Sequence, residues 1–361
     1  MKFARVALMF LLAALPAQNW LTGTIDKAFA AAKDSKAGLV LLYCWRNDHP
    51  NCKAMFADTM EDKAVVAALA DFTLQSCKRD EPDALAVQEK YGVLNLPTIL
   101  FLTPDGTVVD VVPGYVEPKK FLAELARIRA GKETIAALKE AVAAKPGELA
   151  LQLTLAKKLA ACGDPAGADK ALDAIVAKDP KGSTEVSAEA QFLKIRAATF
   201  KPEIAPKDID LKPLKDFLIK QKNKRILFLG YERMAAAEYA RDNLKAACEA
   251  AERAWKNVPP DQLLDYGQQL QSNAYARHKD LDKGQLKQVL DISEKTLKAA
   301  EAVAKERGDA FLANALHLHA TIQIVNNLRK EAFAGMERAM QLNPKDENLK
   351  KALDNWKSGA K

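Results

Sequence analysis

A histidine and a cysteine three residues apart, His49 and Cys52, are the pair in this chain best placed to do chemistry. They lie in Cys44-Trp45-Arg46-Asn47-Asp48-His49-Pro50-Asn51-Cys52-Lys53, with Pro50 between them. Proline suits the first turn of a helix, where its missing N–H costs no hydrogen bond, so a helix is predicted to start here. Three residues is about one helical turn, which puts imidazole and thiol on one face. A thiolate–imidazolium pair would make Cys52 a nucleophile. A neutral imidazole would instead accept a hydrogen bond from an unreactive thiol. A metal ion could also be shared by the two, with Cys44 or Cys77 as a further ligand. Cys44, however, falls in an apolar run, and no second paired motif accompanies it. No metal and no cofactor is expected.

The elements around the pair can be read from periodicity. Gly38 to Tyr43 is a short apolar run of the buried-strand type. Residues 52 to 69 carry apolar side chains at Met55, Phe56, Val65, Val66 and Leu69, which predicts one helix. Residues 72 to 77 read as a second strand and 84 to 91 as a helix. Leu96 to Leu102 reads as a strand closed by the turn signal Thr103-Pro104-Asp105-Gly106, with Val108 to Val112 as its hairpin partner. Residues 119 to 128 form a closing amphipathic helix.

This β-α-β-α-β-β-α order, with Trp45, Cys52 and Lys53 in the W-x-x-x-C-x-x-C-K layout, resembles the thioredoxin family. Trp20 and Ala28, Cys52-Lys53-Ala54-Met55, Tyr91-Gly92-Val93 and Pro97-Thr98 match further motifs of one subgroup, and the resemblance covers residues 18 to 130. It implies a central mixed sheet flanked by helices, a cis peptide before Pro97, and a peptide-binding groove involving Trp45, Pro50, Leu96 and Pro97. It also implies that Cys44 and Cys77 sit on neighbouring strands, where they would be bridged or be plain core thiols. Two departures matter. His49 stands where the attacking cysteine belongs, and imidazole cannot form a mixed disulfide. Tyr43 stands where the family often has a buried acid, and a phenol is a poor proton acceptor near neutral pH. A redox-inactive binding module is therefore the first reading. An atypical thiol–disulfide oxidoreductase or monothiol enzyme using Cys52, with His49 beside it, is the second.

From about Gly131 the strand signals stop, and Ala, Leu, Lys and Glu dominate. Three segments share one layout of helix, turn, helix and closing proline: Leu149 to Pro180, Phe228 to Pro259 and Ala313 to Pro344. Small residues such as Ala168, Ala247 and Ala332 let paired helices approach. These segments resemble tetratricopeptide repeats, which implies an all-α repeat domain that binds protein or peptide partners. A longer helical pair is expected over 263–277 and 283–306, a partly irregular stretch over 183–214, and a terminal capping helix over 346–356. The expected domains are 18–131 and 132–361.

Lys2 and Arg5, followed by the apolar run Val6 to Leu15, have the form of a secretory signal peptide over residues 1–17. A periplasmic or secreted protein without a membrane span in the mature chain is expected. With 49% hydrophobic and 28% charged residues, the 361-residue chain has the composition of a folded globular protein. Its net charge of +7 is mild for that length, and its densest basic run, residues 220–225, lacks interleaved aromatics. Nucleic acid is not an expected partner. The sequence leaves the oligomeric state open.

Overall fold

The computed structural model describes residues 19–358 apart from Pro202, so the signal-peptide expectation for residues 1–17 lies outside the described residues. The first compact unit ends at Gln191. It opens with β1 (Trp20–Leu21), α1 (Ile25–Ala32), β2 (Val40–Trp45) and α2 (Pro50–Ala54), followed by α3 (Lys63–Leu69), β3 (Thr73–Lys78), α4 (Ala84–Lys90), β4 (Thr98–Leu102), β5 (Val108–Pro113) and α5 (Pro118–Arg129). The five strands form one mixed sheet in the order β1-β3-β2-β4-β5. β1, β3 and β2 run parallel, and β4 and β5 are antiparallel to their neighbours. This is the central sheet that the sequence implies.

Alternation along β2 divides the core in two. Leu41 and Tyr43 point to the face covered by the α2–α3 segment and α5, with Met55, Leu69, Phe121 and Leu125. Val40, Leu42 and Cys44 point to the other face, against Ala28 and Ala32 of α1 and Ala84 of α4. Residues 52 to 69 are not one helix, contrary to expectation. α2 loosens into a π-helical turn over Met55–Met60, and α3 starts afresh at Asp62, whose carboxylate accepts the N–H groups of Ala64 and Val65. The break is tied to the sheet's far edge. The Thr59 hydroxyl donates to the Val116 carbonyl at 2.6 Å, and the Val116 N–H reaches Met55 Sδ.

The compact unit runs well past the composition break at Gly131. α6 (Ile135–Ala144), α7 (Leu149–Ala161) and α8 (Pro165–Lys178) belong to the same unit as the sheet, and the division falls inside α9 (Glu185–Thr199). Two contacts explain this. Asp110, in the middle of β5, is fully buried and ion-paired both to Arg127 of α5 at 2.7 Å and to Lys158 of α7 at 2.7 Å. The turn after α4 also meets the turn after α7 backbone to backbone. A Cβ on Gly163 would lie 2.7 Å from the Gly92 nitrogen and 2.8 Å from its Cα, and both glycines have positive φ.

The second unit begins at Phe192. Between α9 and α10 (Lys212–Leu218) the described residues form only a short 3-10 turn, Pro206–Asp208, so the stretch expected to be partly irregular is helical in its first half. Then come α11 (Lys224–Ala240), α12 (Leu244–Trp255), α13 (Leu263–Ala276), α14 (Lys283–Arg307), α15 (Asp309–Val325), α16 (Arg329–Leu342) and α17 (Glu347–Lys357). α17 closes the array through Leu349 and Leu353, which pack on Leu316 and Met336.

The pairs α7–α8, α11–α12 and α15–α16 turn in the same way. Each first helix ends in a left-handed residue, Gly163, Asp242 or Asn327. The next N–H returns to the carbonyl five residues back: Asp164 to Leu159, Asn243 to Glu238 and Leu328 to Gln323, at 2.9–3.0 Å. This is a Schellman turn, which satisfies carbonyls that the helix end leaves unpaired.

Inside the second unit, α13, α14 and α15 share a buried polar relay. Gln271 Nε2 donates to the Gly267 carbonyl, so its Oε1 accepts from Ser293 Oγ at 2.8 Å. The single Ser293 proton is then committed, and His319 Nδ1, 2.8 Å from Ser293 Oγ, must be the donor. Burial lowers the pKa of His319 and of His317.

Two outcomes follow from these contacts. Asp110→Ala leaves Lys158 with only the Glu133 carbonyl, while Arg127 keeps Glu124, and should cost about 3 kcal/mol in denaturant unfolding of the full chain; a loss under about 1 kcal/mol would mean the network is idle. The depressed histidines bind protons more readily in the unfolded chain. Their contribution is present above the unfolded value of about 6.5 and is lost as pH falls below it. The urea midpoint of the repeat unit should drop between pH 7.5 and 5.5, and His319→Gln should blunt that drop.

Candidate functional site

His49 is the N-cap of α2, with extended backbone angles, and Pro50 occupies the first helical turn. The His49 carbonyl accepts the N–H of Cys52 at 3.0 Å and that of Lys53 at 3.2 Å. The imidazole is half-buried, and its Nδ1 is buried with no hydrogen-bond partner. The position is the one that lowers a thiol pKa in a redox protein, because the helix N-terminus carries unpaired N–H groups and positive potential. Imidazole there cannot form a mixed disulfide.

Cys52 is fully buried and a free thiol. Burial raises its pKa, and the backbone N–H and guanidinium of Arg46 offset this only in part. The Tyr43 hydroxyl donates to the Cys52 carbonyl at 2.9 Å, a bond that ties the centre of the sheet to the start of α2. Its phenol is raised above the ordinary range, mainly by burial and then by the Cys52 thiol, so it stays protonated and takes no proton from a neighbour. Nothing in the sequence signalled this bond beyond the position of Tyr43 two residues before Trp45.

Trp45 stacks between Tyr43 and Phe56, with ring centroids 6.0 and 6.2 Å away. Its Nε1 donates to Ser76 Oγ at 2.9 Å. Arg46 pairs with Asp48 on the exposed loop, and that guanidinium holds the Asp48 carboxyl down to about 2. The Leu96–Pro97 peptide is cis. Pro97 directly precedes Thr98, whose ladder partner on β2 is Cys44, so Pro97 lies at the same end of the sheet as the motif. Pro97 is buried and Leu96 half-buried, whereas Pro50 is exposed.

Cys44 and Cys77 stand opposite each other in the β2–β3 ladder and are both free thiols, and the Cys77 thiol donates to the Ala84 carbonyl at 3.6 Å. The neighbouring Cys77 and burial push the Cys44 thiol up. Cys162 packs at the margin of the same core. Among the described residues no group of three or more His, Cys, Asp or Glu side chains could hold a metal ion, and no helix is long and apolar enough to cross a membrane.

Residues 25–129 match the family model of a thioredoxin-like domain, and residues 130–191 match that of a tetratricopeptide repeat. Solved structures similar to the chain include the solution structure of a thioredoxin from Thermus thermophilus, at 27% identity, covering 30% of this chain and 85% of that one, with a TM-score of 0.28. No curated protein matches the chain. The repeat match spans α6 to α8 and the start of α9, and α7 is the helix that Asp110 holds on the sheet through Lys158. The chain carries a thioredoxin-like domain over residues 25–129, followed by tetratricopeptide-type helical repeats.

Proposed function

We propose that this protein is an exported, redox-inactive adapter that holds protein or peptide partners through its thioredoxin-like groove and its helical repeats. The observation that carries the reading is the chemistry left at the start of α2. Dithiol exchange needs an exposed thiol of lowered pKa at the helix N-terminus. Here that place is filled by His49, and the remaining thiol, Cys52, is buried with its pKa raised. The scaffold that would present a peptide remains, with Trp45, Pro50, Leu96 and the cis peptide before Pro97 around the same end of the sheet. An extended peptide would bind there by backbone pairing beside Pro97. The repeats supply the second surface, since stacked helical pairs bind proteins without chemistry of their own. Export rests on Lys2, Arg5 and the apolar run that follows them.

The test of inertness is insulin reduction driven by dithiothreitol. The purified protein should act no faster than the reductant alone, and turnover near that of an ordinary thioredoxin would end the adapter reading. His49→Cys should form a reducible disulfide with Cys52, seen as a loss of two hydrogens in intact mass, because the helix N-terminus that activates a thiol is intact. Iodoacetamide labelling of Cys52, followed by peptide mapping, separates the adapter from a monothiol enzyme. With the thiol raised by burial, labelling of the folded protein should stay slow at neutral pH and climb only in alkali, above the range of an ordinary cysteine. A rate that remains high at about pH 6 would identify a reactive thiolate and favour the enzyme.

A further inference from the structure

The second unit contains a cleft of about 220 Å³ framed by α11, α12, α13 and α14. Its walls are mostly aliphatic, with Ala247 and Ala251 from α12, Leu270 and Ala274 from α13, and Val289 and Ile292 from α14. An apolar cavity of about 150 Å³ already accepts a benzene ring, so the space is sufficient for an aromatic or short aliphatic body.

Most of the polar groups around the cleft are already partnered. Arg277 is held by Asp242 and Asp280, Glu252 by Lys256, and Tyr239 Oη donates to the Asn273 carbonyl. Two groups differ. Tyr266 is only 5% exposed, and its hydroxyl is buried with no hydrogen-bond partner. Such orphaned groups are rare, because an unmade buried hydrogen bond carries the full desolvation cost. Glu232, half-buried on α11, lies close enough to act electrostatically on that phenol. It has Arg233 and Arg196 acting on it through space, and burial raises its pKa. Glu232 and Tyr266 thus line the cleft together, a half-buried carboxyl and an unpartnered, buried phenol oxygen among aliphatic side chains.

That combination selects its ligand. A carboxylate would be repelled by Glu232, and Arg277 is occupied by two aspartates. A neutral hydroxyl could bond the phenol but would not balance the carboxylate. An ammonium has three donors and a positive charge, and it answers both oxygens at once. We propose that this cleft binds a primary amine carried on an apolar body, with the ammonium donating to the Glu232 carboxylate and Tyr266 Oη while the body fills the aliphatic space. The amine is supplied by a free small molecule or by the N-terminus of a peptide. This site is independent of the thioredoxin-like groove, and its failure would leave the adapter reading untouched.

The experiment titrates 2-phenylethylamine into the full-length protein by calorimetry, with 2-phenylethanol and phenylacetate as matched controls. A second readout is protection of Cys248, which lines the cleft, from N-ethylmaleimide. The amine should bind and slow Cys248 modification, the alcohol should bind at least about tenfold more weakly, and phenylacetate should not bind. Glu232→Gln should weaken the amine about 10- to 100-fold, and Tyr266→Phe about 3- to 10-fold, in line with charged and neutral hydrogen bonds. Tyr266→Phe keeps the ring that packs on Phe228, so it reads out the site even where Glu232→Gln disturbs folding. A peptide beginning with Phe and its N-acetylated form separate the two sources. Binding of the free-amine peptide as well as the small amine points to a partner's terminus, and binding of the small amine alone points to a free amine. The proposal is overturned if neither amine binds, if the alcohol binds as well as the amine, or if both variants bind the amine unchanged.

Discussion

A carboxylate with no exposed surface cannot stand alone in a protein interior, and Asp110 is such a carboxylate. It sits on β5, in an apolar strand, and demands positive charge from whatever packs over it. Arg127 at the end of α5 supplies one cation, and Lys158 on α7 supplies the other, while Lys158 also donates to the Glu133 carbonyl. One of these cations belongs to the thioredoxin-like domain and the other to the first helical repeat. Meeting the requirement of a single buried charge therefore fixes where the repeats begin relative to the sheet. Aliphatic contacts then complete the joint: Val108 packs with Ile135, Leu138 and Leu155, and Ala161 and Cys162 pack with the core below β2.

The start of α2 obeys a different logic. Everything that positions a reactive thiol is kept: the strand that ends at Trp45, the proline in the first turn, and the helix N-terminus. The one group that would use that environment is replaced. Tyr43 adds to the change, since its hydroxyl braces the Cys52 carbonyl in place of an acid that could take a proton. At that end of the sheet Trp45 stacks between Tyr43 and Phe56, and the cis Leu96–Pro97 peptide lies alongside. In the adapter reading proposed above, a preformed surface of this kind would avoid the entropy of ordering loops when a peptide binds.

Much of this was legible in the sequence. The strand and helix order from residue 38 to residue 129 followed from apolar runs and turn residues, whereas β1 and α1 were not read as elements, and the repeats followed from alanine spacing and closing prolines. The helix break at Asp62 was hidden because Val65, Val66 and Leu69 continue a helical period, whereas its cause, the bond from Thr59 to Val116, is long-range. The extent of the first compact unit was hidden for the same reason. Composition changes at Gly131, close to where the two family matches meet, but the contacts that carry the compact unit past that point join residues 48 positions apart. One local clue existed: an aspartate inside Val108-Val109-Asp110-Val111-Val112 is an anomaly that calls for a partner. The helical pairing of α11 to α14 was readable, but the orphaned Tyr266 hydroxyl was not, because burial of a single oxygen is a property of the assembled cleft.

The three Schellman turns of the repeats look alike, yet they differ in what they allow. Asp242 and Asn327 show that a side chain can stand at the left-handed position. At Gly163 it cannot, because the Gly92 backbone occupies the place where a Cβ would go. The repeats are consequently not interchangeable modules. A chain assembled by shuffling them could take the first repeat into an interior position, but neither of the other two pairs could take its place on the sheet without first acquiring a glycine. The order of the array is therefore written in one missing side chain.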